Sequence, residues 1–231
     1  MSDPWLTIIG LGEDGPNGLP PASLKALEEA DYVMGAVRHL SLLPDLIANQ
    51  IIWPTPFADG IPVLLGLRGQ KVVMLASGDP FWYGAGTSVT KHLEAGEWRT
   101  LTAPSTFNLA VAHLGWAMEA TQTIALHAAP FSRLRPLLYP DAQVICTLRD
   151  GDAVTDLANW LYEAGFGDST IHIMEALGGP RERVRSATVK GYKLTDVQHP
   201  VVVGIQASGP ALPMASGHPD TLFDHDGQIT K

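Results

Sequence analysis

The chain has 231 residues, 45% of them hydrophobic and 17% charged, with a net charge of −9. Such a composition excludes disorder and argues against wholesale nucleic-acid binding, so an anionic ligand would need a local arginine cluster. One cysteine, Cys146, excludes an internal disulfide framework and a multi-cysteine metal centre; no metal is expected, and with neither a signal-like start nor a run of about 18 apolar residues the expected setting is the cytoplasm.

The first apolar run, Leu6–Ile9, predicts a strand. It leads into Gly10, Gly12 and Gly15, a literal G-x-G-x-x-G. A dinucleotide-binding loop of that form needs a helix opening at once, whose free N–H groups take the pyrophosphate. Here Pro16-Asn17-Gly18-Leu19-Pro20-Pro21 intervenes, so a helix can begin only near Pro20 or Pro21. The acidic residue that should close the second strand is also misplaced, because Asp31 precedes Tyr32–Met34. The stretch therefore reads as a glycine-rich turn that lets main chain approach some other ligand, or as a plain tight turn.

Downstream, strands are predicted at Tyr32–Met34, Gln50–Trp53, Lys71–Leu75, Arg99–Ala103, Gln122–Leu126, Ala142–Thr147, Thr170–Glu175, Glu182–Ala187 and Pro200–Ile205. Helices are predicted at Ala22–Ala30, Ile61–Leu67, Gly86–Ala95, Ser105–His113 and Ala153–Ala164, with a short one near Ser132–Leu138; Ser23, Asp59 and Ser105 are the candidate caps. The alternation implies an α/β fold with mostly parallel sheet. The last three strands follow one another without helices, which predicts antiparallel pairs in a second sheet. The expected division is an α/β unit over 1–114, a second over 115–206, and a cleft between them. The stretch 207–231, rich in Gly, Pro, Ser, His and Asp, reads as linker or terminus. Cys146, inside the apolar run 143–148, reads as an inert buried thiol.

The second glycine-rich turn carries more chemistry. Strand Val72–Leu75 runs into Ser77-Gly78-Asp79-Pro80 and then Phe81-Trp82-Tyr83-Gly84. A loop at the carboxyl edge of a parallel strand is where α/β proteins hold ligands. Gly78 permits close main-chain approach, Pro80 fixes the turn, and Asp79 either offers acceptors to a ligand or organises the loop.

Taken together, Ile9-Gly10-Leu11-Gly12, Ala30-Asp31-Tyr32-Val33-Met34-Gly35, Ala76-Ser77-Gly78-Asp79-Pro80, Ala103-Pro104-Ser105-Thr106-Phe107-Asn108 and Thr123-Ile124-Ala125-Leu126-His127 resemble the tetrapyrrole methylases, the class III S-adenosylmethionine-dependent methyltransferases. The resemblance spans residues 5 to 206 and implies two αβα domains with a cofactor cleft between them. Two departures stand out. Glu13-Asp14-Gly15-Pro16 displaces the proline of the family's G-x-G-P-G loop, and Ala128-Ala129-Pro130 replaces a Gly-Arg pair, leaving any role of that arginine to Arg133 or Arg135.

The resemblance further implies that S-adenosylmethionine lies folded against Gly12, Glu13, Ser77, Gly78, Asp79, Trp82, Thr106, Phe107, Thr147 and Ala176, and leaves as S-adenosylhomocysteine. The methyl acceptor would be an electron-rich carbon of a tetrapyrrole, C5 of a precorrin in cobalamin synthesis. His127 is the first candidate for the base that takes the released proton, or else a structural histidine; Glu175 and Asp79 come next. Arg38, Arg133, Arg135, Arg149, Arg181 and Arg183 are candidates for pairing with the substrate's carboxylates, or else solvated surface groups; along a strand, Arg181, Arg183 and Arg185 would share one face. A homodimer is expected. The segment 223–231 resembles the opening of a second methyltransferase half, expected to be absent from this chain. The alternatives are another enzyme of the family, of uroporphyrinogen or diphthine type, and a non-catalytic binding half.

Overall fold

The computed structural model describes residues 3–210, so the reading of the tail falls largely outside it. Two five-stranded sheets follow one another along the chain. The first is wholly parallel, in the order β3 (Asn49–Ile52), β2 (Tyr32–Gly35), β4 (Val72–Ser77), β1 (Leu6–Leu11), β5 (Trp98–Leu101). The second runs β6 (Gln122–Ala125), β7 (Gln143–Thr147), β10 (Val201–Gln206), β8 (Thr170–Glu175), β9 (Arg183–Thr188). Only β6 and β7 pair in parallel there; the other three pairings are antiparallel, as the lack of intervening helices required.

The period-2 alternation of strand side chains explains how each sheet is covered. In the first sheet, Ile9, Leu11, Val33, Val73 and Leu75 face α1 (Pro21–Glu28) and α2 (Val37–Ser41), whose Leu27 and Leu40 they bury. Leu6, Ile8, Met34, Val72 and Met74 face the other way, onto Ile61 and Leu64 of α3 (Gly60–Leu65) and Val89 of α4 (Gly86–Thr90). In the second sheet, Val144, Cys146, Ile171, Ile173, Val203 and Ile205 pack on α6 (Asp152–Glu163) through Val154, Leu157 and Leu161. Its opposite face, with Ile145, Met174 and Val202, receives Phe107, Ala110 and Val111 of α5 (Thr106–Leu114). Cys146 is fully buried, and burial alone pushes its thiol up to about 12, so it is inert at neutral pH.

Three local expectations are corrected. Ser23 lies inside α1, which starts from Pro20 and Pro21 instead, because proline loses nothing where the first helical N–H groups have no partner. Asp59 stands at the N-cap position of α3 in a helical conformation, and its side chain makes no capping bond. The segment 131–137 winds as a 3₁₀ turn containing Pro136, which has no N–H to continue a helix. Ser105 does cap α5, accepting from Asn108 N–H at 3.2 Å, while Asn108 Oδ1 accepts from Ser105 N–H at 3.2 Å.

Candidate active site

All five strands of the first sheet are parallel, so all five carboxyl ends lie along one edge. The residues that follow them line a cavity of about 610 Å³: Gly12 and Glu13 after β1, Arg38 and His39 after β2, Trp53 after β3, Gly78 and Trp82 after β4, and Thr106 and Phe107 after β5. The second sheet closes it with the edge where β6, β7 and β8 end and β10 begins, through His127, Thr147, Ala176, His199 and Val201. The glycine-rich turn after β1 is thus a wall of this cleft. A Cβ on Gly10 would overlap the carbonyl oxygen of Gly78, so this glycine serves close contact between the end of β1 and the loop after β4. The chain winds a 3₁₀ turn at Gly15–Gly18 before α1, and no helix opens at the loop.

The cleft's main chain is held in uncommon conformations. Gly78 has φ +53°, Tyr83 φ +55° and Ala176 φ +45°. Left-handed backbone at non-glycine residues is sparsely populated and collects at functional sites. Gly78 joins three segments: its N–H donates to Leu11 O at 2.9 Å, its carbonyl accepts from Ala103 N–H at 3.4 Å, and a Cβ would meet Pro104 O and Ser105 Cα at 3.0 Å. Asp79 turns inward on its own loop, where Oδ1 accepts from Phe81 N–H at 2.8 Å. Of the aromatic residues beyond, Trp82 is 47% exposed, and Tyr83 donates its hydroxyl to Thr123 O of β6 at 2.9 Å.

A polar cluster on α2 belongs to the same wall. Arg38 donates to Glu13 Oε1 and, at 2.7 Å, to Ser77 Oγ; His39 Nε2 lies 2.9 Å from that same oxygen. Arg38 Nη2 also lies 3.2 Å from His39 Nε2, and a guanidinium only donates, so Nε2 is the acceptor there and takes the Ser77 hydroxyl hydrogen as well, while Ser77 Oγ accepts from Arg38. His39 is then the neutral tautomer with its proton on Nδ1, an atom that is buried without a partner. Burial, followed by the charge of Arg38, lowers its pKa from 6.5 to about 4. The folded value lies below the unfolded one, so the associated stability is complete above pH 6.5 and is lost as pH falls toward 4. We expect the loss of unfolding free energy between pH 7 and pH 4.5 to be about 2–3 kcal/mol smaller in His39→Gln than in the parent, as read from urea titrations at the two pH values. An equal loss in both would remove His39 as the source.

The expected site residues divide by position. Gly12, Glu13, Ser77, Gly78, Trp82, Thr106, Phe107, His127, Thr147 and Ala176 line the cleft. Glu175 and Arg183 line a smaller cavity of about 290 Å³ beside it, with Arg181. The Glu175 carboxylate, only 2% exposed, accepts from Arg183 Nε and Nη2 (2.9 and 2.7 Å), from Arg185 Nη2 (2.9 Å) and from Gln198 N–H (2.6 Å). Burial works to raise its pKa, but the bonds from Arg183, Gln198 and Arg185 outweigh it and hold the group below the usual carboxylate range. Both arginines also bind Asp196. Arg183 and Arg185 do share a face of β9, and that face is committed to Glu175 and Asp196. Arg181 precedes β9 and binds Glu13 at 3.0 Å. Arg133 and Arg135 sit exposed on the 3₁₀ turn, outside both cavities. His39, Trp53 and His199 are cleft residues that sequence reasoning passed over; the available signal was their place a few residues beyond the predicted strand Tyr32–Met34, at the last position of Gln50–Trp53, and immediately before Pro200–Ile205.

An αβα sheet whose carboxyl edge meets a second, mixed sheet across a cleft is the setting in which the comparisons with known proteins fall. The chain belongs to the Tetrapyrrole (Corrin/Porphyrin) Methylases, whose profile matches residues 5–192. Over 99% of its length it is 41% identical to a protein of Sinorhizobium sp named precorrin-6Y C(5,15)-methyltransferase (decarboxylating), of which it covers 56%. The chain therefore spans about half the length of the curated relatives it matches first. It is 25% identical to the cobalt-precorrin-7 C(5)-methyltransferase of Salmonella typhimurium, over 86% of this chain and 98% of that one. Among solved structures, the uroporphyrin-III C-methyltransferase of Thermus thermophilus in complex with S-adenosyl homocysteine superposes with a TM-score of 0.66 at 18% identity, covering 87% of this chain and 96% of that one. No helix among the described residues is long and apolar enough to cross a membrane.

Proposed function

We propose that this chain is an S-adenosylmethionine-dependent methyltransferase that methylates C5 of a precorrin in cobalamin biosynthesis. The observation that carries the position is coverage: the chain takes in 98% of a relative named only for C(5) methylation, and about half of relatives named for C(5,15) methylation with decarboxylation. We propose accordingly that in such fused relatives a further segment performs the C15 chemistry, and that this segment is a partner for the present chain. Two units, 1–114 and 115–206, a homodimeric assembly and a cytoplasmic setting complete the reading.

The residues present fit the methyl donor. The cleft is large enough, the left-handed main chain of Gly78 lies on its wall, and its mostly apolar lining carries polar groups, of which Arg38, His39 and Ser77 are fixed by mutual hydrogen bonds. Ser77, Gly78, Thr106, Thr147 and Ala176, with Gly12 and the main chain of Glu13 lining the first loop, would hold it; Asp79 would shape the loop from within. When bound, S-adenosylmethionine supplies an electrophilic methyl group on a sulfonium centre. The protein's part is then to hold the accepting carbon in line with that methyl and keep water out, a contribution of about 7–11 kcal/mol at its upper limit. His127, exposed at the end of β6 and facing the cleft, is proposed as the base that takes the proton from the methylated macrocycle. Glu175 is less suited, with both oxygens committed to N–H donors. Of the two arginines lining the smaller cavity, Arg181 is the better placed to meet a substrate carboxylate, because only its Nη2 is bonded, to Glu13, whereas Arg183 spends all three of its nitrogens on Glu175 and Asp196.

Calorimetric titration with S-adenosylhomocysteine, with NADH as control, tests the donor site; micromolar binding of the first alone is expected, and binding of neither would overturn the reading. His127→Ala should slow turnover by roughly 10²–10⁴-fold while leaving S-adenosylhomocysteine affinity nearly intact. Unchanged turnover would remove His127 from the chemistry.

A further inference from the structure

The loop after β1 and the loop between β8 and β9 meet at Glu13. Its side chain is 8% exposed, yet it is tied to the two sheets at once: to Arg38 of α2, which packs on the first sheet, and to Arg181, which leads into β9 of the second. The backbones are equally close. A Cβ on Gly179 would lie 2.6 Å from Glu13 Cβ and 2.8 Å from its carbonyl oxygen, so no side chain fits between the loops. Arg38 passes the connection on to Ser77 Oγ at 2.7 Å, on the loop that the proposed function assigns to the methyl donor. One carboxylate thus organises a chain of charge-assisted bonds that runs from β9, over the cleft, to the loop after β4. Such bonds are stronger than neutral ones and hold their donors in fixed directions. The other tie across the cleft described above, Tyr83 to Thr123 O, is a neutral bond from an exposed side chain.

We propose that Glu13 is a positioning residue: its carboxylate is a strut that fixes the two sheets relative to each other and, through Arg38, sets the Ser77 hydroxyl for the methyl donor. The inference rests on the reading of the cleft as a donor site, but the strut itself has a readout that needs no ligand. Without the Glu13 charge, Arg38 loses its anchor and Arg181 loses its hold on the first sheet. The two loops then open together, and the donor must supply the free energy that closes them. A coupling of this kind changes affinity by roughly tenfold.

The test uses the whole chain and the variants Glu13→Gln, Arg181→Gln, Arg181→Lys and the double variant Glu13→Gln/Arg181→Gln. Hydrogen exchange without ligand should rise in both 12–19 and 177–182 in Glu13→Gln and in Arg181→Gln, with the rest of the chain unchanged. Exchange that rises in only one of these segments, or in neither, would overturn the strut. Titration with S-adenosylhomocysteine should show affinity about tenfold weaker in each Gln variant, no weaker still in the double variant, and largely restored in Arg181→Lys, because neighbours in one network do not add. Losses that add in the double variant, or unaltered affinity in the single ones, would also overturn it. Arg181 is 54% exposed, so its replacement leaves folding intact even if Glu13→Gln does not fold. A parent chain that bound no S-adenosylhomocysteine would defeat the donor reading instead, and the exchange result would still decide the strut.

Discussion

Gly78→Val will eliminate S-adenosylhomocysteine binding, weakening it by roughly a hundredfold or more, while leaving a folded protein. Two effects combine. Gly78 holds φ +53°, a region that a β-branched residue enters only with strain of about 1–3 kcal/mol. Its Cβ direction is also closed, by Pro104 O and Ser105 Cα at 3.0 Å, both backbone atoms at the capped start of α5. The loop must therefore move, and the part free to move is the part that lines the cleft, since Val72–Ala76 behind it is pinned between β1 and β2. Circular dichroism should show the secondary structure retained while calorimetry shows no heat of binding. Gly78→Val with normal affinity would place the donor elsewhere.

The second large effect is on stability. Glu175→Ala should cost about 3 kcal/mol and lower the melting temperature by about 10 °C, because Arg183 and Arg185 would then converge with a single shared carboxylate left between them. Asp196→Ala, which removes the other carboxylate of the same network, should leave the melting temperature nearly unchanged, because Asp196 is 62% exposed and water takes its place. The contrast separates burial from mere pairing. Equal melting temperatures for the two variants would mean that Glu175 is no more important than a surface ion pair.

Much of this molecule was legible before its structure. Among the described residues all ten strands lie on or within a residue or two of the predicted runs: the central ones because they are short, buried and apolar, and the half-exposed β3, β5 and β9 because β-branched, aromatic or alternating residues stand between turn-forming ones. The antiparallel half was legible for a topological reason: strands joined without a helix cannot easily pair in parallel. What escaped was α2. Five residues, Val37–Ser41, make little more than one turn, too short for a helical period to declare itself. With α2 escaped the arrangement of Arg38 and His39 around Ser77, which is a tertiary convergence of residues some forty positions apart. The same limit applies to the arginines. Alternation along β9 foretold a shared face for Arg183 and Arg185, but the facing register, Glu175 opposite Arg183, depends on how β8 and β9 pair. At the start of α1 proline gave a clearer signal than serine, since Pro20 and Pro21 open the helix whereas Ser23 lies inside it; at α3, Asp59 holds the N-cap position without making a cap.

The strand order of the second sheet sets a timetable for synthesis. The first sheet is complete in sequence by Leu101, so it can assemble while the remainder of the chain is still being made. In the second, β10 is the last strand of the sheet to leave the ribosome, yet it lies in the middle, hydrogen-bonded to β7 on one side and β8 on the other. Until Val201–Gln206 arrive, β7 and β8 have no common neighbour, and Val144, Ile171 and Ile173 lack the partners Val203 and Ile205 that cover them. A nascent chain halted between Thr188 and Val201 would therefore carry one finished sheet and one with an open seam, the kind of unpaired edge that recruits chaperones or other chains.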